Sequence, residues 1–132
     1  IKTFSSIPIL YVAGNHEYYT HHLPSLLKEF RALSAQTPHF YFLENARFIT
    51  ENVRFLGCTL WTDFLLFGPE KKEISGRAAE KNLADFSQIL ISGNSSARKI
   101  RFADFIRFNT ESLAFLKKEL SRPYNGKTVL LS

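Results

Sequence analysis

Along the chain, short continuous apolar runs alternate with longer stretches in which apolar residues recur at helical spacing. The run Ile7-Pro8-Ile9-Leu10-Tyr11-Val12 has the length and β-branching of a strand buried on both faces of a parallel sheet, and it stops at Gly14. After a polar loop, Leu23, Leu26, Leu27, Phe30 and Leu33 form one face of a helix, with Ser25, Lys28, Glu29 and Arg31 on the other. Pro24 falls in the first turn, where its missing N–H costs nothing, and Thr37-Pro38 closes the helix. Residues 40–43, 47–50 and 53–61 read as short strands, separated by tight turns at Glu44-Asn45 and Glu51-Asn52.

Residues 67–75 are rich in Gly, Pro and charge, which predicts a surface excursion, and a helix is expected over about 76–86. Residues 91–97 contain Ser-Gly-Asn-Ser-Ser, a flexible-loop signal. Phe105, Ile106, Leu113, Leu116 and Leu120 then mark a long helix closed near Arg122-Pro123, with Asn109 on its apolar stripe. After Asn125-Gly126, residues 127–132 read as another buried, parallel-type strand. Strands alternating with helices predict an α/β fold, and no repeat, linker or low-complexity tract divides residues 1–132.

Composition narrows the picture. A hydrophobic content of 45% with thirteen Phe, five Tyr and one Trp excludes intrinsic disorder. No apolar run approaches the ~20 residues of a membrane span, so no membrane partner is expected. Seventeen Lys and Arg against twelve Asp and Glu leave +5, but the charges are scattered. The densest basic stretch, Arg98, Lys99, Arg101 and Arg107, is interleaved with Phe102 and Phe105 and reads as a solvated loop leading into a helix whose aromatics face the core. Cys58 is alone, which excludes an intrachain disulfide and a cysteine-based zinc cage and fits a cytoplasmic location. A start at Ile without any leader signature suggests a piece of a longer protein.

The chemistry-bearing residues are Gly14-Asn15-His16-Glu17, at the carboxyl end of a buried strand, where α/β sheets present their ligands. Gly14 can take a conformation closed to bulkier residues, letting the chain turn so that the next two side chains leave the sheet edge together. Asn15 offers a neutral oxygen suited to a hard or borderline metal, and His16 can ligate, donate a proton or stabilise negative charge. On four residues alone, a turn with a capping side chain fits equally well.

Taken together with VAGNHEYY at 12–19, FLGCTLWTDF at 55–64, Ala84-Asp85-Phe86 and KTVLLS at 127–132, the sequence resembles the calcineurin-like metallophosphoesterases over nearly its whole length. That resemblance implies an α/β/β/α sandwich with flanking helices. It also implies two divalent ions, manganese, iron, zinc or cobalt, and a metal hydroxide attacking the phosphorus of a phosphate-ester substrate. By the same resemblance Asn15 is a metal ligand and His16 protonates the leaving oxygen or steadies the transition state. Gly14, Glu17 and Asp63 would support the site, with Asp63 also readable as a loop cap, and His21 and His22 are candidates for substrate contact at the rim.

The departures from the family are equally informative. It takes further ligands from Asp-x-His, Gly-Asp and Gly-His-x-His segments, none of which occurs in this sequence. The resemblance therefore implies a single partial domain, incomplete at both ends, inactive alone and prone to self-association through uncovered apolar edges. A zinc-protease His-Glu-x-x-His helix is excluded, because His16 and His21 are five apart, about 500° of helical rotation. The rival reading from another class is a non-catalytic α/β module that binds nucleic acid or a protein; under the enzymatic reading nucleic acid enters only as a substrate.

Overall fold

A computed structural model describes residues 7–93 and 96–132. The fold is α/β. Strand β1 (Ile9–Tyr11), helix α1 (Leu23–Gln36) and strand β2 (Phe40–Phe42) form a βαβ unit, with β1 and β2 parallel and Ile9 in register with Phe40. The apolar stripe predicted for α1 closes over this pair: Phe30 lies edge-on to Tyr11, with ring centroids 5.5 Å apart, and 5.1 Å from Phe42. Ser34 locks the helix end to the strand, its hydroxyl donating to the Phe40 carbonyl and accepting from the Phe42 N–H, both at 3.0 Å.

Strands β3 (Ala46–Thr50) and β4 (Val53–Gly57) form an antiparallel hairpin, and β7 (Lys127–Leu131) joins β4 in parallel, giving the order β3-β4-β7. Both predicted turns are present, with Asn45 at φ 51° and Glu51 at φ 48°. Between β4 and β7 the chain runs through α2 (Lys72–Asn82), the short α3 (Asp85–Gln88), a hairpin of β5 (Leu90–Ser92) with β6 (Ala97–Lys99), and the long α4 (Phe102–Leu120). Trp61 is the hub of the core, 4.4 Å from Phe105 and 5.8 Å from Tyr18 between ring centroids. Asn109, the polar residue on the apolar stripe of α4, donates to the Trp61 carbonyl at 2.6 Å and so ties the helix to the segment leaving β4. Gly57 is required where the two sheets meet, since a Cβ there would come within 2.8 Å of the Leu43 carbonyl oxygen.

Several expectations are corrected. The helix expected over about 76–86 begins at Lys72 and ends at Asn82. Its start is earlier because Pro69 opens a short 3-10 turn, Pro69–Lys71, that feeds straight into α2. Its end is earlier because Leu83 is extended, after which buried Phe86 turns inward to lie 4.7 Å from Phe105. The expected strand over 53–61 leaves its ladder after Cys58, because Thr59 turns to bond Glu44 and Ala13 instead. The 91–97 loop is flanked closely by β5 and β6, and its Asn94 and Ser95 lie outside the described residues. The strand at 127–132 is not buried: among the described residues β7 pairs only with β4, leaving Leu130 54% exposed.

Candidate active site at the carboxyl ends of the strands

The carboxyl ends of β1, β4 and β7 open onto one cavity of about 350 Å³. Gly14 and Asn15 arrive from β1, Thr59 to Thr62 from β4 and Ser132 from β7, while Leu83, Asp85 and Phe105 close the opposite wall. This is the position at which parallel sheets hold ligands, because every strand exit there can aim a side chain at one point. Among the described residues no Lys or Arg lines the cavity, and the one ionisable side chain in its wall is the Asp85 carboxylate.

Asn15 opens a single 3-10 turn, His16–Tyr18. Its amide Nδ2 donates to Asp85 Oδ1 at 2.7 Å, and Tyr19 OH donates to Asp85 Oδ2 at 3.3 Å. Burial and then the neighbouring Asp85 charge push the Tyr19 phenol above its ordinary value, which keeps it a donor. Asp85 is buried, at 8% exposure, and has no ion-pair partner among the described residues. Phe86 and Ile89, both buried, anchor its helix to the core and thereby hold the carboxylate in place.

Gly14 corrects one expectation, for its φ lies outside the left-handed region. Its importance is space: the Gly14 N–H donates to Glu17 Oε2 at 2.8 Å, and a Cβ on residue 14 would meet that same oxygen at 3.1 Å. Glu17 thus pins the loop that carries Asn15. Beneath it, Thr59 Oγ1 stands 2.7 Å from Glu44 Oε2 and 2.8 Å from the Ala13 carbonyl, one hydroxyl proton shared between two acceptors, and this joins the exits of β1, β2 and β4.

The other residues singled out from sequence lie elsewhere. His16 is exposed and packs beside Tyr19, ring centroids 4.6 Å apart, on the rim rather than in the cavity wall. Asp63 accepts from the Leu65 N–H at 2.9 Å, the loop cap that its position allowed, and does not line the cavity. His22 is engaged by Ser25 at 2.8 Å and Ser92 at 3.1 Å, at the start of α1, and the His21 carbonyl accepts from the Leu90 N–H. Neither histidine reaches the cavity. Among the described residues no three His, Cys, Asp or Glu side chains converge as a metal cage. Nor is any described helix long and apolar enough to cross a membrane.

No family model matches the chain. No solved structure matches it. It is similar to uncharacterized protein L509 of Acanthamoeba polyphaga mimivirus, 26% identical over 127 residues that cover 92% of this chain and 43% of that relative. The chain therefore spans less than half the length of the relative it matches.

Sequence reasoning assigned Asp85, Tyr19 and Thr59 no role of their own. No signal marked Asp85, because Lys81 four positions before it, inside the expected helix, offered an ordinary solvated ion pair. Tyr19 and Thr59 carried none, because their parts depend on contacts across the fold.

The basic stretch is spent locally. Arg98 grips Asp104 through two nitrogens at 2.7 and 2.9 Å, and Arg107 lies over the Phe108 ring at 4.4 Å and pairs with Glu111. Phe105 is buried and faces the core. Burial tends to raise the Asp104 carboxyl, but Arg98 and the Arg101 N–H outweigh it and hold it below the usual range.

Proposed function

We propose that this chain carries the strand-end Asn-His portion of a metal-dependent phosphoric ester hydrolase, with two divalent cations as cofactors and a phosphate mono- or diester as substrate. One observation carries the reading: Asn15 lines the cavity at the strand exits with its amide nitrogen already committed to Asp85. The amide oxygen is left as an acceptor, which suits a hard or borderline cation. The charge of the cavity agrees, since among the described residues its wall holds one carboxylate and no Lys or Arg, a lining that favours a cation over a bare phosphate.

Among the described residues, Asn15 Oδ1 would hold a metal as a single ligand, and the reading requires further ligands beyond those described. When bound, the metals supply neutralisation of the phosphoryl oxygens and lower the pKa of water. The chain's own residues bind and orient. Asn15 would hold one cation at the mouth of β1, and Glu17 holds the loop through the Gly14 N–H. His16, on the rim, holds the proton that the leaving oxygen takes up.

The test is hydrolysis of a generic aryl phosphodiester by the full-length protein. Asn15→Ala and His16→Ala are each expected to lower kcat/KM by roughly 10²-fold or more. Equal activity before and after both substitutions rejects the roles of the pair. Salt-sensitive oligonucleotide binding that survives chelation, without hydrolysis, supports a binding module instead.

A further inference from the structure

Resting on that reading, we infer that Asp85 is the positioning residue that selects which end of the Asn15 amide meets the cation. The two ends of an amide are nearly the same shape, so rotation by half a turn costs little unless the partners distinguish them. An ionised carboxylate only accepts. It therefore takes the NH2 end, through a charge-assisted bond of 2.7 Å to Oδ1, and leaves Asn15 Oδ1 as the free end. Among the described residues that oxygen accepts no hydrogen bond.

Three further features suit Asp85 to this task. Tyr19 OH occupies its second oxygen at 3.3 Å, so the carboxylate is held from both sides and does not swivel. Asp85 does not cap its own helix, whose N-cap is Ala84 without a side-chain bond, so its burial is not explained by local structure. It has no cationic side chain within ion-pair distance among the described residues, so its negative charge is not cancelled where it stands. A carboxylate behind the NH2 group polarises the amide and makes its oxygen a stronger donor to a cation. Carboxylates that hold metal-bound histidines act by the same physics.

The experiment has two readouts on the full-length protein: calorimetric titration with manganese, and the side-chain amide signals of Asn15 in the metal-free protein. In the unmodified protein one Asn15 amide proton is expected downfield and slow to exchange. Asp85→Asn removes that signature and weakens manganese binding by about 10–100-fold. Asp85→Glu, which keeps the charge and guards against a folding artefact, recovers most of the affinity. Tyr19→Phe is expected to cost only a few-fold.

Wild-type manganese affinity in folded Asp85→Asn, with Asn15→Ala still impaired, overturns the inference and spares the metal reading. Unchanged affinity in Asn15→Ala as well overturns the metal reading itself. A loss in Asp85→Asn far larger than in Asn15→Ala overturns the positioning role in favour of direct ligation by Asp85.

Discussion

Two buried carboxylates sit at opposite ends of the parallel pair β4 and β7, and they are handled in opposite ways. At the amino ends, Glu119 is 5% exposed and bonded to Arg47 at 3.0 Å and Arg122 at 2.7 Å. Beside it, buried Arg54 donates to the Glu119 carbonyl in the last turn of α4 at 2.7 Å and to the Arg122 carbonyl just beyond the helix at 3.3 Å, and lies 4.9 Å over the Tyr124 ring. Glu119 there has two counter-charges, while Arg54 meets neutral acceptors, the Glu119 and Arg122 carbonyls and the Thr128 hydroxyl, and so gives the end of α4 a donor. At the carboxyl ends, Asp85 is buried to a similar degree but has only an amide and a phenol. Burying a carboxylate without a counter-charge is costly, and two neutral donors offset that cost only in part. The first cluster finishes a helix; the second leaves a buried carboxylate with two neutral donors and no ion pair among the described residues.

Substitutions at the two ends separate these roles. Arg54→Ala is expected to give the largest stability loss, about 3 kcal/mol by chemical denaturation, because it strips the Glu119 and Arg122 carbonyls of their buried donor. Manganese affinity should not change. Glu119→Gln is expected to cost less, about 2 kcal/mol, since Arg47 and Arg122 are each nearly half exposed and water screens their loss. If either substitution alters cation binding as strongly as Asp85→Asn, the two ends are not independent and the contrast fails.

Acid offers a milder perturbation. Burial tends to raise the Glu119 carboxyl, but Arg47 and Arg122 outweigh it and hold it below the ordinary range. A carboxyl with a depressed folded-state pKa contributes stability that is present above the unfolded value, about 4.3 for Glu, and is lost as pH falls through the folded value. The melting temperature should therefore drop below about pH 4, and Glu119→Gln should flatten part of that slope. A melting profile that instead falls from neutral pH would place the sensitive group elsewhere. Asp63→Ala is expected to have the smallest effect, below about 1 kcal/mol and without change in manganese affinity, because its carboxylate only caps a loop N–H.

Much of the architecture was readable from periodicity. The stripes of α1 and α4 have the 3.6-residue period that burial of one helix face imposes, and the turns at Asn45 and Glu51 follow from residues that interrupt apolar runs. Boundaries were less readable where tertiary contacts overrode local preference: α2 stops at Asn82 because Leu83 and Asp85 are claimed by the cavity wall, a demand that Ala and Glu around it do not announce. Edge exposure was unreadable for a related reason. The apolar run of β7 looks the same whether its second edge is paired or bare, and Leu130 is exposed where, among the described residues, β4 alone pairs with that strand.

The sequence by itself determined that the fold is α/β and that Asn15 follows a strand, because hydrophobic period and strand-end position are local properties of the chain. That strand is half-buried rather than buried on both faces as its apolar run suggested. Only the tertiary structure decided which residues share the cavity with Asn15. Asp85 lies seventy positions downstream and Thr59 forty-four, and their meeting depends on how β1, β4 and α3 are packed rather than on any spacing along the chain. Tertiary structure also decided that Asp63, His21 and His22 stand apart, since a side chain's direction is set by the element that carries it and by the partners it finds there.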